Sequence, residues 1–166
     1  AIAEDVKPAA ICLVPEKREE LTTEGGLDVM GNEANIKSAC ERLAAVGSEV
    51  SLFIDPNEKQ IEAAKRCGAP VIEIHTGHYA EATDPEEQKQ ELIRITKATA
   101  FALGLGLIVN AGHGLHYHNT EAIAAIKGMN ELNIGHAIMA HSMFVGLKTA
   151  VKEMRDLIER ASQGSL

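Results

Sequence analysis

The sequence predicts an α/β fold with a parallel β-sheet, and it favours a (β/α)8 barrel over a doubly wound open sheet. Five short apolar runs are each followed by a helical pattern, which is the alternation found in parallel sheets covered by helices. Three consecutive runs then end in "EIHTGH", "NAGHGLHYH" and "NIGH". Polar groups at the carboxyl ends of successive strands are typical of a barrel, whereas an open sheet gathers ligands where its strand order reverses.

The predicted strands are short and distributed along the whole chain. They comprise residues 10–14, 50–54, 71–76, 107–111 and 132–134. A complete barrel has eight such units and about 250 residues. Five units in 166 residues therefore predict an incomplete ring that forms a single domain over residues 1–166.

Capping signals predict where two of the helices begin. Asp55 is followed directly by Pro56 and, three positions after Asp55, by Glu58, so we expect Asp55 to cap this helix and Gly68 to end it. Asp84 in "DPEE" repeats the pattern. Apolar residues at helical spacing predict the buried faces of two further helices; they are Ile36, Cys40 and Leu43 in the first, and Leu147, Val151, Met154 and Ile158 in the second.

Composition argues against several classes of partner. With 16 basic and 24 acidic residues the chain carries a formal charge of -8, and it has no basic run that could bind nucleic acid or an anionic membrane. No apolar run approaches the roughly 20 residues that span a bilayer. Three cysteines without C-x-x-C spacing indicate neither a disulfide framework nor a zinc knuckle. A cytoplasmic location fits best, and any anionic ligand must be held by local groups.

Histidines and glycines crowd the segment that follows the fourth predicted strand. In "NAGHGLHYHN", residues 110–119, His113 lies between Gly112 and Gly114. Imidazoles titrate near neutral pH, so the segment suggests proton transfer or metal binding, and glycine lets a ligand approach the backbone. Two alternatives remain. The imidazoles cap helices or fill polar gaps, or His113, His116 and His118 hold a metal ion in a barrel hydrolase.

Glu73 is the most informative carboxylate. Side chains alternate along a strand, so in "VIEIHTG" Glu73 shares one face with Val71 and His75, while Ile72 and Ile74 take the other. If the apolar face packs on helices, Glu73 points into the barrel. A buried carboxylate is costly unless it is paired or protonated, and both arrangements suit acid–base or charge-stabilising work. The alternative is a structural contact with an interior Asn or Lys.

Two further segments suggest phosphate binding and a lid. In "NIGHAI", Gly135 and His136 begin a helical stretch, and helix N-termini bind phosphate, often after the last two strands of a barrel. The charged segment "PEKREELTTEGG", residues 15–26, has the character of a mobile lid that excludes water from a site. It is equally typical of a solvated linker in which Thr22 or Thr23 caps something local.

Five motifs together closely resemble the pyridoxine 5'-phosphate synthase family. They are "LVPEKREELTTEGGLDV", "SLFID", "IEIHTGHYA", "VNAGHGLHYHN" and "ELNIGHAI", in the family's order and separation, and the resemblance covers essentially the whole chain. It implies a (β/α)8 barrel, assembled as a homo-octamer. The implied reaction condenses 1-deoxy-D-xylulose 5-phosphate with 3-amino-2-oxopropyl phosphate to give pyridoxine 5'-phosphate, phosphate and water, with no metal or organic cofactor.

The resemblance also implies a role for each matching residue. His113 corresponds to the family's proton donor, and Glu73 to a carboxylate that stabilises the transition state. Thr22 corresponds to a contact with the deoxyxylulose phosphate. Contacts with the aminoketone phosphate are implied for Gly114, Gly135 and His136.

The family pattern is longer than this sequence. Family members carry an earlier segment with three more strand–helix units, which supplies a catalytic histidine, a catalytic glutamate and several phosphate contacts. Those units are not among these 166 residues. We therefore expect the chain to supply the C-terminal five units of a barrel and to be incomplete by itself. The alternative is an inactive fragment, either phosphate-ester-binding or structural, and His141 matches no family residue with a role.

Overall fold

The computed structural model describes residues 2–16 and 25–164, in which strands and helices alternate. The strands are β1 (Ala10–Leu13), β2 (Glu49–Ile54), β3 (Val71–His75), β4 (Ile108–Gly112) and β5 (Met129–Asn133). The helices are α1 (Ile2–Val6), α2 (Glu33–Ala45), α3 (Glu58–Arg66), α4 (Gly77–Glu81), α5 (Pro85–Gly104), α6 (Thr120–Ala124), α7 (His136–Val145) and α8 (Leu147–Gln163). Each strand is followed by a helix, as predicted. Strand boundaries agree with the prediction to within one residue, except that β5 begins three residues earlier.

The five strands form one parallel sheet in the order β1-β2-β3-β4-β5. A doubly wound sheet reverses its strand order, because its helices cover both faces. The described strands show no reversal, so the doubly wound alternative is wrong and the sheet is singly wound. Sequential order is that of a (β/α)8 barrel, in which right-handed crossovers place all helices on the same face of the sheet.

Aliphatic side chains on one face of the sheet form the core with the helices. Leu52, Ile72 and Val109 are neighbours on β2, β3 and β4, and all three are inaccessible to solvent. The buried residues of α2 in the same cluster are those predicted, Ile36, Cys40 and Leu43. Full burial of one such aliphatic side chain contributes about 1.5–3 kcal/mol, so the central strands supply much of the stabilisation.

The opposite face of the sheet is polar. Cys12, Ser51, Glu73 and Asn110 lie on it and line an open cleft of about 330 Å³. Glu73 occupies this face because Ile72 and Ile74, its neighbours on β3, are buried on the other. In a (β/α)8 barrel, this face lines the interior.

Asn57, rather than Asp55, caps α3, which corrects the sequence prediction. Asn57 Oδ1 accepts a hydrogen bond from the Lys59 backbone N–H at 2.9 Å. The helix begins two residues later than expected because Asp55, only 2% exposed, directs its carboxylate into the protein. The cap predicted at Asp84 is confirmed, since its Oδ1 accepts a hydrogen bond from the Glu86 N–H at 2.8 Å.

The buried face of α8 differs from the one that its apolar spacing predicts. Its buried residues are Ala150, Met154 and Ala161. Of the predicted set, Ile158 is partly buried, while Leu147 and Val151 are 54% and 46% exposed. The small residues Ala150 and Ala161 are buried instead, and the Tyr117 hydroxyl donates a hydrogen bond to the Ala150 carbonyl at 2.8 Å.

Membrane-spanning segments are not found among the described helices. The longest of them is α5, with 20 residues. Its first two turns carry the charged side chains of Glu86, Glu87, Lys89 and Glu91.

Candidate active site

The carboxyl ends of β3, β4 and β5 surround a cavity of about 780 Å³. Five of the six site residues named from the sequence line this cavity: Glu73, His113, Gly114, Gly135 and His136. The sixth, Thr22, lies outside the described residues, as do positions 17–24 of the segment expected to form a lid. Pro15 and Gly25, which flank those positions, line the cavity.

Glu73 is held on the polar face of the sheet and is 8% exposed. Its Oε2 accepts a hydrogen bond from Asn133 Nδ2 at 2.9 Å. Burial raises the pKa of Glu73, and hydrogen bonds from Cys12 and Asn133 oppose that increase. Burial also raises the pKa of Cys12 to about 11, so this residue remains a neutral thiol. Glu73 thus has the structural Asn partner that the sequence left as an alternative, and it also lines the cavity.

Gly112 allows Glu73 on β3 to reach Asn133 on β5 across the intervening strand. A β-carbon at position 112 would overlap Glu73 Oε1 and would lie 3.1 Å from the Asn133 Cβ. Gly114 has a different constraint, since its φ is +75° and a β-carbon would lie 2.5 Å from the Ala80 Cβ. Both glycines are therefore required by packing or by backbone conformation, whether or not a ligand approaches them.

His113 follows β4 directly and has a φ of +83°. This left-handed conformation costs a non-glycine residue about 1–3 kcal/mol and needs support from its surroundings. Thr76, which is fully buried, supplies that support. Its Oγ1 lies 2.8 Å from the Gly112 carbonyl oxygen and 2.6 Å from the His113 carbonyl oxygen, and its N–H donates to Gly112 at 2.9 Å. The end of β3 thus fixes the backbone of His113.

The N-terminus of α7 forms another wall of the cavity. Gly135 is the N-cap residue and has no side chain to accept the N–H groups of the first turn. Gly135, His136 and Ala137 all line the cavity. Unpaired N–H groups and the helix dipole attract anions, so this wall is suited to a phosphate group.

A second group of imidazoles adjoins the main cavity. His75 and His78 line a smaller cavity of about 240 Å³, which shares Phe53 and His113 with the larger one. His75 Nδ1 lies 3.1 Å from Asp55 Oδ1, and the His75 ring centroid lies 5.1 Å from that of His113. Sequence reasoning did not identify this group. The sequence did contain a signal for it, since Asp55 and His75 lie at the ends of two consecutive predicted strands. Adjacent parallel strands bring their carboxyl ends together.

His113, His116 and His118 do not converge as the metal-hydrolase alternative requires. His116 Nδ1 accepts a hydrogen bond from the His118 backbone N–H at 3.2 Å, and the two ring centroids are 5.9 Å apart. His116 lines the main cavity and His118 does not. Over residues 2–16 and 25–164, no group of three His, Cys, Asp or Glu side chains is arranged to hold a metal ion.

His141 forms a surface contact away from the cavity. Its Nε2 lies 2.7 Å from Glu153 Oε2, and its ring centroid is 4.7 Å from that of Tyr117. Partly exposed pairs of this kind contribute about 0–1 kcal/mol. The contact joins α7 to α8, so His141 has a structural role at this surface.

Comparisons with known proteins identify a family and a fold. The family model for pyridoxal phosphate biosynthesis protein PdxJ matches residues 1–160. A solved structure, the Amycolatopsis orientalis BexX/CysO complex, contains a chain with 14% identity and a TM-score of 0.65, and the match covers 99% of this chain and 60% of that one. A xylose isomerase domain protein from Planctomyces limnophilus matches with 16% identity and a TM-score of 0.49, over 84% of this chain and 62% of that one. The chain thus spans about three-fifths of the length of these solved chains, and the first similarity concerns the fold alone.

Replacing Gly112 by Ala should destabilise the protein by about 1–3 kcal/mol, the usual cost of overpacking. The new β-carbon would displace the Glu73 carboxylate and break its hydrogen bond with Asn133. Urea denaturation measures the change. Gly104→Ala is a matched control, because a β-carbon there meets nothing within 4 Å. Equal stability of the two variants would contradict the packing role of Gly112.

Replacing Glu73 by Gln should change the pH dependence of stability. Because the folded protein raises the pKa of this carboxyl, the group contributes stability below its unfolded value of about 4.3, and that contribution is lost as pH rises through the folded value. Gln removes this loss and still accepts from Asn133. The free energy of unfolding of Glu73→Gln, relative to the parent, should therefore increase between pH 4 and 7.

Urea denaturation at several pH values tests this expectation. The variant Glu62→Gln, at an exposed position of α3, corrects for the general effect of removing one negative charge. After that correction, a difference in the free energy of unfolding between Glu73→Gln and the parent that does not change with pH would contradict the raised pKa of Glu73.

Proposed function

Because the chain belongs to the family of pyridoxal phosphate biosynthesis protein PdxJ, we propose that it acts in pyridoxine 5'-phosphate synthase, an enzyme of vitamin B6 biosynthesis. The proposed reaction condenses 1-deoxy-D-xylulose 5-phosphate with 3-amino-2-oxopropyl phosphate, and releases phosphate and water. One observation supports it above all. A buried carboxylate, an imidazole and the N-terminus of a helix line the same cavity.

The proposed roles follow from the chemistry of each group. His113 donates a proton, since an imidazole exchanges protons readily near neutral pH. Glu73 stabilises positive charge that develops during the condensation, because it is a carboxyl group in a site of low solvent exposure. Gly114, Gly135 and His136 hold the phosphate of the aminoketone, the last two at the N-terminus of α7. Thr22 holds the phosphate of the deoxyxylulose substrate.

The dimensions of the cavity are consistent with these substrates. Sites for small molecules have volumes of about 300–1,000 Å³, and this cavity measures about 780 Å³. Both proposed substrates carry a phosphate, whereas the chain has a net charge of -8. Local N–H donors must therefore overcome a general repulsion, which the first turn of α7 is placed to do.

We further propose that the chain supplies five of the eight units of a (β/α)8 barrel as its C-terminal portion. The singly wound order of the described sheet supports this proposal, as does its polar face, which would line the barrel interior. β1 and β5 are its two edges and would pair with the remaining strands. A cytoplasmic homo-octamer that uses no metal or organic cofactor is the assembly that the family resemblance predicts.

Replacing His113 by Asn in the assembled synthase should lower kcat by about 10²–10⁴-fold with little change in KM, as expected for the loss of a general acid. Asn tolerates a positive φ, so the backbone supported by Thr76 should be retained. Steady-state rates of pyridoxine 5'-phosphate formation measure the effect. His118→Asn is the control, because His118 does not line the cavity. Unchanged turnover in His113→Asn would remove this residue from the proposed mechanism.

The 166-residue chain by itself should not make pyridoxine 5'-phosphate, and adding the other three strand–helix units should restore synthesis. The reason is chemical, since a ring closure that removes several protons needs more than one positioned acid or base, and His113 and Glu73 are the two that this chain is proposed to supply. The test mixes the chain with a separately made family segment of about 80 residues, the difference from a typical barrel of about 250. Full activity of the chain alone would overturn the five-unit proposal. No activity in the mixture, despite formation of a complex, would favour the inactive-fragment alternative.

A further inference from the structure

Asp55 is a buried carboxylate whose position is not explained by local structure. It is 2% exposed, and Asn57 occupies the cap position that the sequence assigns to Asp55. Asp55 Oδ1 instead accepts a hydrogen bond from the Gly26 N–H at 3.1 Å and lies 3.1 Å from His75 Nδ1. Burial of a carboxylate is costly without such partners, so these contacts define its position. The carboxylate accepts, and His75 Nδ1 carries the donated hydrogen.

His75 stands between this carboxylate and His113. Its side chain is 10% exposed, and its ring centroid lies 5.1 Å from that of His113 at an interplanar angle of 62°. Phe53 packs on His75 from β2, with ring centroids 5.0 Å apart. On the remaining side, a β-carbon at Gly77 would lie 2.5 Å from His75 Nε2 and 3.4 Å from His113 Cδ2. The two imidazoles are thus packed together with no room for a side chain at position 77.

We propose that Asp55 and His75 are positioning residues for His113. Asp55 fixes the tautomer and the ring plane of His75 through Nδ1–H, and the edge of the His75 ring then limits the rotation of the His113 imidazole. A carboxylate that orients one histidine so that it can serve a reacting group is a recurrent arrangement in enzymes. The inference deepens the proposed function, because it gives a reason for the side-chain orientation of the proposed proton donor.

The backbone and the side chain of His113 are held by different groups. Thr76 holds the backbone through the Gly112 and His113 carbonyl oxygens. Those contacts leave the imidazole free to rotate about the Cα–Cβ and Cβ–Cγ bonds. In the part of the chain that the structure describes, the His113 ring centroid lies 5.1 Å from that of His75 and 6.4 Å from that of Phe53. His75 is the nearer of the two, and Asp55 is what holds it.

Three variants separate positioning from general destabilisation. Asp55→Asn keeps an oxygen that can accept from the Gly26 N–H, but it removes the charge that orients His75. His75→Asn keeps a side-chain N–H close to the position of Nδ1, so it can still donate to Asp55, but it removes the ring beside His113. Glu153→Gln is the matched control, because it disrupts a different carboxylate–imidazole pair, that of Glu153 with His141.

The primary measurement is nuclear magnetic resonance of the imidazole nitrogens in ¹⁵N-labelled chain, which does not depend on catalysis. We expect Asp55→Asn to raise the fraction of the Nε2–H tautomer of His75 and to shift or broaden the His113 resonances. We expect His75→Asn to broaden the His113 resonances, whereas Glu153→Gln should change those of His141 alone. If Asp55→Asn does not fold, the His113 resonances of His75→Asn decide whether His75 positions His113. His113 resonances that match the Glu153→Gln protein in every folded variant would overturn the proposal.

The second measurement is turnover of the assembled synthase. Misplacement of a catalytic group by about 1 Å can cost about 10²-fold in rate, so Asp55→Asn and His75→Asn should lower kcat by about 10-fold to 10²-fold while KM stays near that of the parent. A loss confined to KM would overturn the positioning role. If His113→Asn leaves turnover unchanged, the proposed function fails, but the resonances still decide whether Asp55 and His75 orient His113.

Discussion

The contact of Glu73 with Asn133 across Gly112 is the constraint on which the rest of the site depends. It connects β3 to β5 over the strand between them, on the polar face of the sheet. The contact is possible only because Gly112 has no β-carbon. It also affects the electrostatics, since burial raises the pKa of Glu73 and the hydrogen bond from Asn133 opposes that increase. Gly112 thus permits the contact that holds the carboxylate at the cavity.

The ends of β3 and β4 are joined by a second set of contacts, which hold His113 in a conformation that it would not adopt alone. Thr76 contacts two successive carbonyl oxygens, and the residue that it supports has a φ of +83°. Energy stored in such a conformation is typical of functional sites, where the surroundings over-determine a strained residue. The sheet edge therefore supports the backbone of the residue that we propose as the proton donor.

The charge of the protein and the nature of the site are linked. A chain with a net charge of -8 repels anions, including phosphate esters, at long range. Binding of the proposed phosphorylated substrates would therefore depend on groups at short distance, and the first turn of α7 offers N–H donors at the cavity wall. Salt screens the long-range repulsion over about 10 Å but has little effect on such short contacts. The arrangement suits a site that relies on backbone donors in place of a basic surface.

The sequence by itself determined the alternation of strands and helices, the face on which Glu73 lies and the crowding of His113, Gly114, Gly135 and His136 at strand ends. These features are local, because side-chain direction along a strand has a period of two and these histidines and glycines directly follow the predicted strands in the sequence. Only the tertiary structure decided the partners of Asp55 and the buried face of α8. Asp55 has the sequence context of a helix cap, but parallel pairing of β2 with β3 brings it to His75, 20 positions away. In α8 the small residues Ala150 and Ala161 are buried, and Ala150 accepts a hydrogen bond from Tyr117, 33 positions away. Contacts of that kind depend on how separate elements pack, and neither hydrophobic spacing nor capping patterns encode them.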